Sequence, residues 1–224
     1  MIVRDLVVIS QQLPAAAAAR AEAATGAVVE MVADLAGLDA ALARPRARPA
    51  RVLSVLNRII LPPSLLQALD EPAYNIHPGP PEFPGVAPEA FALYAGAASF
   101  GVTAHRMTER VDDGAIVALL RFPIPPDTGR MALAAAAGRA VWQMFGQMVP
   151  RLVRQPAPLA PLAQRWGGRP ATSADYARAC TFVPTVSAGE IERRVRAFGD
   201  GSAGQFHIDL HGRRFVHTAP QGEG

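Results

Sequence analysis

The run IVRDLVVI, residues 2–9, decides the fold. It is apolar but for one Arg–Asp pair, and it is too short for a long helix. An apolar run of this length reads as a strand buried on both faces, the kind a parallel sheet needs. Working outward, PAAAAARAEAA at residues 14–24 is alanine-rich and helical, and Gly26 ends it. AVVEMVA at 27–33 predicts a second strand, LDAALA at 38–43 a short helix, and RVLSVL at 51–56 a third strand. Pro45 and Pro49 interrupt the pattern in a basic loop. The alternation β-α-β-α-β predicts an α/β fold, a Rossmann-like doubly wound, mostly parallel sheet with right-handed crossovers. The first turn, SQQLPAAAA, carries no glycine fingerprint, so a dinucleotide or phosphate loop of the G-x-G-x-x-G or G-x-x-x-x-G-K type is unsupported.

Composition narrows the class. Half of the 224 residues are hydrophobic and 18% are charged, a globular balance. The net charge of +3 comes from scattered arginines without a basic run, which argues against a nucleic-acid partner. The single cysteine, Cys180, excludes an internal disulfide framework and a cysteine-rich metal site, and it has no neighbouring base to activate it. No apolar stretch approaches the ~20 residues of a membrane span, and MIVRDLVVIS lacks a signal peptide's layout. The expectation is a cytoplasmic protein with no membrane partner.

The chemistry concentrates further on. In AYNIHPGPPEFPG, residues 73–85, the segment 73–77 between Pro72 and Pro78 reads as a short strand with a proline-stiffened loop behind it. Strand alternation places Asn75 and His77 on one face and Ile76 on the other. An amide beside an imidazole at a strand end can serve as a reaction site; it can equally be a polar strand end with a satisfied histidine. GVTAHRM at 101–107 and AIVALLRF at 115–122 predict two strands joined by the acidic turn TERVDDG. His105 alone reads as a core histidine, and Asp112-Asp113-Gly114 as ordinary turn chemistry. Residues 64–69 and 88–97 predict short helices. Residues 128–154 predict a long one, whose stripe Leu133, Ala137, Val141, Phe145 and Met148 is core. Pro156, Pro158 and Pro161 then mark a linker. Ser187 and Glu190 form a capping box for the helix IERRVRAF, stopped by Gly199, and His211-Gly212 suits a two-residue hairpin between strands at 205–210 and 213–218.

The ordered set NIHP, G-V-A-P, G-V-T-A-H and V-D-D-G, at these spacings, resembles the folate-dependent formyltransferases. That family includes glycinamide ribonucleotide transformylase, methionyl-tRNA formyltransferase and the sugar N-formyltransferases. The resemblance implies a catalytic domain at 1–154, a Pro-rich linker at 155–163 and a small α+β accessory module, a helix plus hairpin, at 164–224. It implies transfer of a formyl group from 10-formyltetrahydrofolate, as co-substrate and without a metal, to a small-molecule amine. Asn75, His77 and Asp112 match the catalytic positions, and His105 supports them. Arg58, Ile59, Ile60 and Leu61 match the segment lining the folate cleft, with Val111, Asp113 and Gly114 beside it. The loop Pro78, Gly79, Pro80, Pro81 and Glu82 would shape the acceptor pocket. This loop departs from the family's S-L-L-P-x-x-R-G: it is one residue shorter and lacks the arginine. With Glu82 present, it favours a cationic amine or amino sugar, nucleotide-linked or not, or a secondary metabolite. Three other readings stand beside this one: methionyl-tRNA formylation, which a tail without a basic stretch disfavours; hydrolysis of formyltetrahydrofolate, which a regulatory domain ahead of the catalytic one would favour; and a non-catalytic binding relative. A homodimer is left open.

Overall fold

The computed structural model describes residues 3–14, 16–200, 202 and 205–218. Ile2 of the expected first strand and Ala15 of the expected first helix lie outside the described residues. The main sheet has six strands in the order β2-β1-β3-β4-β5-β6: β1 (Asp5–Ile9), β2 (Val29–Val32), β3 (Ala50–Val55), β4 (Tyr74–His77), β5 (Ser99–Arg106) and β6 (Ile116–Pro123). The pairs β1–β2, β1–β3 and β3–β4 are parallel; β4–β5 and β5–β6 are antiparallel.

All five residues of β1 are buried, because helices cover both faces of the sheet. On one face Leu6, Val8, Leu53 and Ile76 pack with α1 (Ala16–Thr25) and α5 (Arg130–Arg154). On the other, Val7, Ile9 and Val52 pack with α2 (Leu35–Ala43) and α3 (Pro63–Ala68). The odd–even split along β1 is the two-residue alternation of a strand. Helix α1 ends at Gly26, whose φ of +69° is a glycine conformation, and α2 begins earlier than expected because the Asp34 side chain accepts from the Gly37 N–H.

Helix α5 spans 25 residues with Leu133, Ala137, Val141, Phe145 and Met148 buried. Its C-terminal end is held by a buried cation. Arg51, fully buried, donates to the Leu152 carbonyl (2.9 Å) and the Gln155 carbonyl (3.0 Å) and ion-pairs with Glu71, which also takes Arg4 (2.5 Å). A guanidinium at a helix C-terminus satisfies orphan carbonyls and opposes the dipole.

Helix α4 (Pro88–Tyr94) receives the C-terminal segment: α6 (Ser173–Cys180), β7 (Thr181–Phe182), α7 (Ala188–Phe198) and the hairpin β8 (His207–Leu210)–β9 (Arg213–Val216). Phe198, fully buried, meets Phe91, Tyr94 and Tyr176 through tilted and edge-on rings. The hairpin turn is His211 (φ 48°) and Gly212 (φ 74°), the two positive values a right-twisted two-residue turn requires. Two details differ from the expectation. The Ser187 hydroxyl does accept from the Glu190 N–H, but the Glu190 carboxylate goes to Tyr94 and Arg194. A complete capping box is formed by Thr172 and Asp175, opening α6, a helix that the sequence pattern does not predict. The tail arginines are largely paired: Arg193 and Arg194 with Glu190, Arg214 with Asp209, Arg196 with Asp127.

Candidate active site

Strand β4 presents Asn75 and His77 on one face, and its antiparallel register with β5 sets Asn75 opposite His105 and His77 opposite Thr103. A register shift between Ala104 and His105 interrupts the β5–β6 ladder at this point, and such bulges re-aim a side chain. The His105 ring takes a defined place. Its Nδ1 lies 3.0 Å from the Arg106 carbonyl, which only an N–H can satisfy, and its Nε2 lies 3.2 Å from the Asn75 amide nitrogen and 3.3 Å from Asp112 Oδ1. With Nδ1 protonated, Nε2 accepts from Asn75 when the ring is neutral and donates toward Asp112 when it is charged.

Asp112 is the hub. Its φ of 46° is left-handed, a conformation Asp tolerates better than most residues. The turn buries its carboxylate while Val111 and Asp113 on either side face solvent. Oδ2 accepts from the Gly85 N–H (2.7 Å) and lies 3.1 Å from His77 Nδ1. Burial pushes the carboxyl pKa up. The contact with His105, the charges of His77 and His105, and the Gly85 N–H outweigh it, and Asp112 sits below the ordinary carboxylate value.

His77, 4% exposed, has an oxygen at each nitrogen: Asp112 at Nδ1 and the Phe83 carbonyl at Nε2, 3.0 Å away. Only an imidazolium satisfies both. Burial works against that charge, His105 adds to it, and Asp112, Phe83 and Glu89 pull the other way; burial wins, and the pKa is lowered. The proline loop is moulded to this ring. Thr103 Oγ1 donates to the Gly79 carbonyl (2.8 Å), and a Cβ at Gly79 would stand 2.5 Å from His77 Nε2.

The other residues singled out in the sequence divide. Pro80 and Pro81 are buried beneath the loop and Pro78 is half-buried. Glu82 is exposed and paired with Arg121 (2.5 Å), so its charge already has a partner. Arg58 and Ile60 face solvent, Ile60 being 67% exposed, whereas Ile59 and Leu61 anchor the same loop in the core. The Ile59 N–H donates to Asn57 Oδ1 (2.9 Å), an Asx turn that fixes the loop's bend. Gly114 is buried, with the Arg106 carbonyl so near that no Cβ fits.

One further residue of the site carries almost no sequence signal. Trp166 stands edge-on to His105, with ring centroids 5.0 Å apart, and to His77, 5.8 Å apart, and its Nε1–H donates to the Gly114 carbonyl (2.8 Å). Its only sequence signal was an isolated tryptophan before Gly167-Gly168 in an otherwise polar stretch. Among the described residues, no group of three or more His, Cys, Asp or Glu is arranged to hold a metal ion, and no helix is long and apolar enough to cross a membrane.

A family model described as formyl transferase matches residues 6–144. Solved structures with the same fold include a sugar N-formyltransferase from a Shewanella species (TM-score 0.76, 16% identity, 96% of this chain and 97% of that one). A 4-N formyltransferase from Francisella tularensis superposes with TM-score 0.74 at 16% identity, over 97% of each chain. WlaRD, a sugar 3N-formyl transferase solved in the presence of dTDP and 5-N-formyl-THF, superposes with TM-score 0.66 at 15% identity, over 88% of this chain and 80% of that one.

Proposed function

The chain belongs to the formyl transferase family, and from that premise we propose that it moves a formyl group from 10-formyltetrahydrofolate to the amine of a small molecule. The acceptor class we favour is an amino sugar, nucleotide-linked in the manner of the dTDP present with WlaRD; a secondary-metabolite amine is the second choice. The observation that carries this reading is the meeting of Asn75, His77 and Asp112 in one cluster inside the family-matched segment. The division of labour we assign is a catalytic domain at 1–154 and an accessory module at 164–224.

The folate co-substrate supplies an activated formyl carbon on a nitrogen leaving group. Arg58 and Ile60, exposed on a loop anchored by Ile59 and Leu61, suit the rim of its cleft, with Val111 and Asp113 exposed on the turn around Asp112. When the amine adds to that carbon, negative charge gathers on the formyl oxygen. Asn75 supplies a donor that does not titrate, and His77 supplies a second through Nε2 once the formyl oxygen takes the place of the Phe83 carbonyl; each is worth roughly 2–4 kcal/mol of barrier. Asp112 steadies the charge on the imidazole and passes the amine's proton, through water, to the departing folate nitrogen. One C–N bond forms as another breaks, and the proton shed by the amine ends on the leaving group.

The test is incubation with 10-formyltetrahydrofolate and a panel of amines, read by mass. The expected product is heavier by one formyl group. Formate released without an acceptor would replace transfer by hydrolysis, and neither product would end the enzymatic reading. His77→Ala is expected to lower turnover by about 100-fold or more while the fold remains; an unchanged rate would remove His77 from the mechanism.

A further inference from the structure

The segment between α5 and α6 is in no sheet, yet it is pinned along its length. The Leu159 N–H donates to the Tyr74 hydroxyl (2.8 Å), the Leu162 N–H to the Ile116 carbonyl (2.7 Å), the Gly167 N–H to the Pro81 carbonyl (2.8 Å) and the Ala171 N–H to the Pro84 carbonyl (2.9 Å). The Val86 N–H returns to the Ala171 carbonyl (2.9 Å). Two glycines permit the approach: a Cβ at Gly167 would lie 2.9 Å from Glu82 Cα, and one at Gly85 2.2 Å from the Ala171 carbonyl oxygen. Trp166 rides on this strap with an anchor on each side. Its indole touches all three elements of the site: His77 from β4, His105 from β5, and, through Gly114, the turn that carries Asp112.

We propose that Trp166 is a positioning residue for formyl transfer: held across both imidazoles and tied to Gly114, it fixes the ring planes and keeps bulk water off them. The proton affinity of His77 is then set first by burial, which lowers it, and next by Asp112, the Phe83 carbonyl, His105 and Glu89. Edge-on aromatic contacts of this kind have a defined geometry and resist rotation of the partner ring. The consequence for catalysis rests on the formyl-transfer reading; the effect on the rings does not, and it can be read without any substrate.

The experiment therefore has two arms. In the first, the imidazole resonances of His77 and His105 are titrated by NMR in the unliganded protein. Trp166→Ala admits water and is expected to raise the His77 midpoint by on the order of one pH unit. Trp166→Phe, which keeps an aromatic ring but loses the Gly114 bond, is expected to move it less. Should the alanine variant not fold, Trp142→Phe leaves Trp166 as the sole tryptophan, and its emission is expected to change across the histidine range as the neighbouring imidazoles charge. In the second arm, kcat of Trp166→Ala is expected to fall roughly tenfold, with the acid limb of its pH profile moved by the same amount as the NMR midpoint and KM for folate little changed. A His77 midpoint and pH profile identical to wild type, or a Trp166 emission flat with pH, overturns the proposal while leaving formyl transfer standing. Absence of formyl transfer in the wild type, with the His77 midpoint still moved by Trp166→Ala, overturns the functional reading and leaves the positioning role of Trp166 intact.

Discussion

At Gly79 the site admits one residue type. A methyl group there would stand 2.5 Å from His77 Nε2 and 2.6 Å from Pro88 Cβ, and neither can yield without loss. Pro88 is buried at the start of α4, and His77 would have to swing away from the Phe83 carbonyl. Gly79→Ala is accordingly expected to cut kcat about 100-fold with the circular dichroism spectrum unchanged, because a misplaced reacting group is costly even in an intact fold; wild-type kinetics would refute it. The same ring links the site to stability. A histidine whose folded pKa lies below its unfolded value stabilises the native state above that value, 6.5, and loses this contribution as pH falls below it. Asp112, also lowered, adds a second loss further into acid. Melting temperature is expected to fall as pH drops through 6.5, and His77→Gln to lack that first decline. Superimposable curves for the two proteins would contradict the assignment. Asn75, His77 and Asp112 are singled out in the sequence through an ordered motif set that resembles a family, since the residues alone read equally as a polar strand end and an ordinary turn. Trp166 is not, since nothing in a lone tryptophan states which pair of histidines it will meet.

Among the elements, the strap at 159–172 was the least visible in the sequence. Pro156 and Pro158 ahead of it follow the end of α5, as expected, but backbone bonds hold the strap to the proline loop, and N–H and C=O groups leave no side-chain signature. Gly85 is its most exposed dependency, with a φ of +90° and the Ala171 carbonyl in the space a Cβ would need. Gly85→Ala is expected to cost about 1–3 kcal/mol and to release the strap, seen as faster hydrogen exchange at Gly167 and Ala171. Unchanged protection there would show that the strap is held some other way. Helix α6 escaped notice for a related reason: its capping box uses Asp175 where Glu or Gln is the usual signal, and eight residues offer little periodicity. The hairpin, by contrast, was legible, because His211-Gly212 names its turn geometry outright.

Across the whole molecule, the two ends of the sheet do different work. The end carrying Asn75 and His77 gathers the polar groups of the site around Asp112. The opposite part of the core is locked by Arg51 and Glu71 against the C-terminal turn of α5. Glu71→Ala would leave the Arg51 guanidinium buried without its counter-charge, and is expected to destabilise the protein by about 3–5 kcal/mol, measured by denaturant unfolding. A loss below about 1 kcal/mol would mean that the helix carbonyls alone satisfy Arg51.

What the sequence by itself determined was the parallel half of the sheet and the inventory of reactive groups. Apolar runs bounded by helical segments leave few ways to bury both faces, and strand alternation alone puts Asn75 and His77 on one side. What only the tertiary structure decided was the meeting of those groups with Asp112, His105 and Trp166. That meeting depends on a register shift between β5 and β6 at His105, a left-handed backbone at Asp112 and a strap seated on glycines. Each of these is set by contacts between segments distant in the chain, and local residue preference carries no record of them.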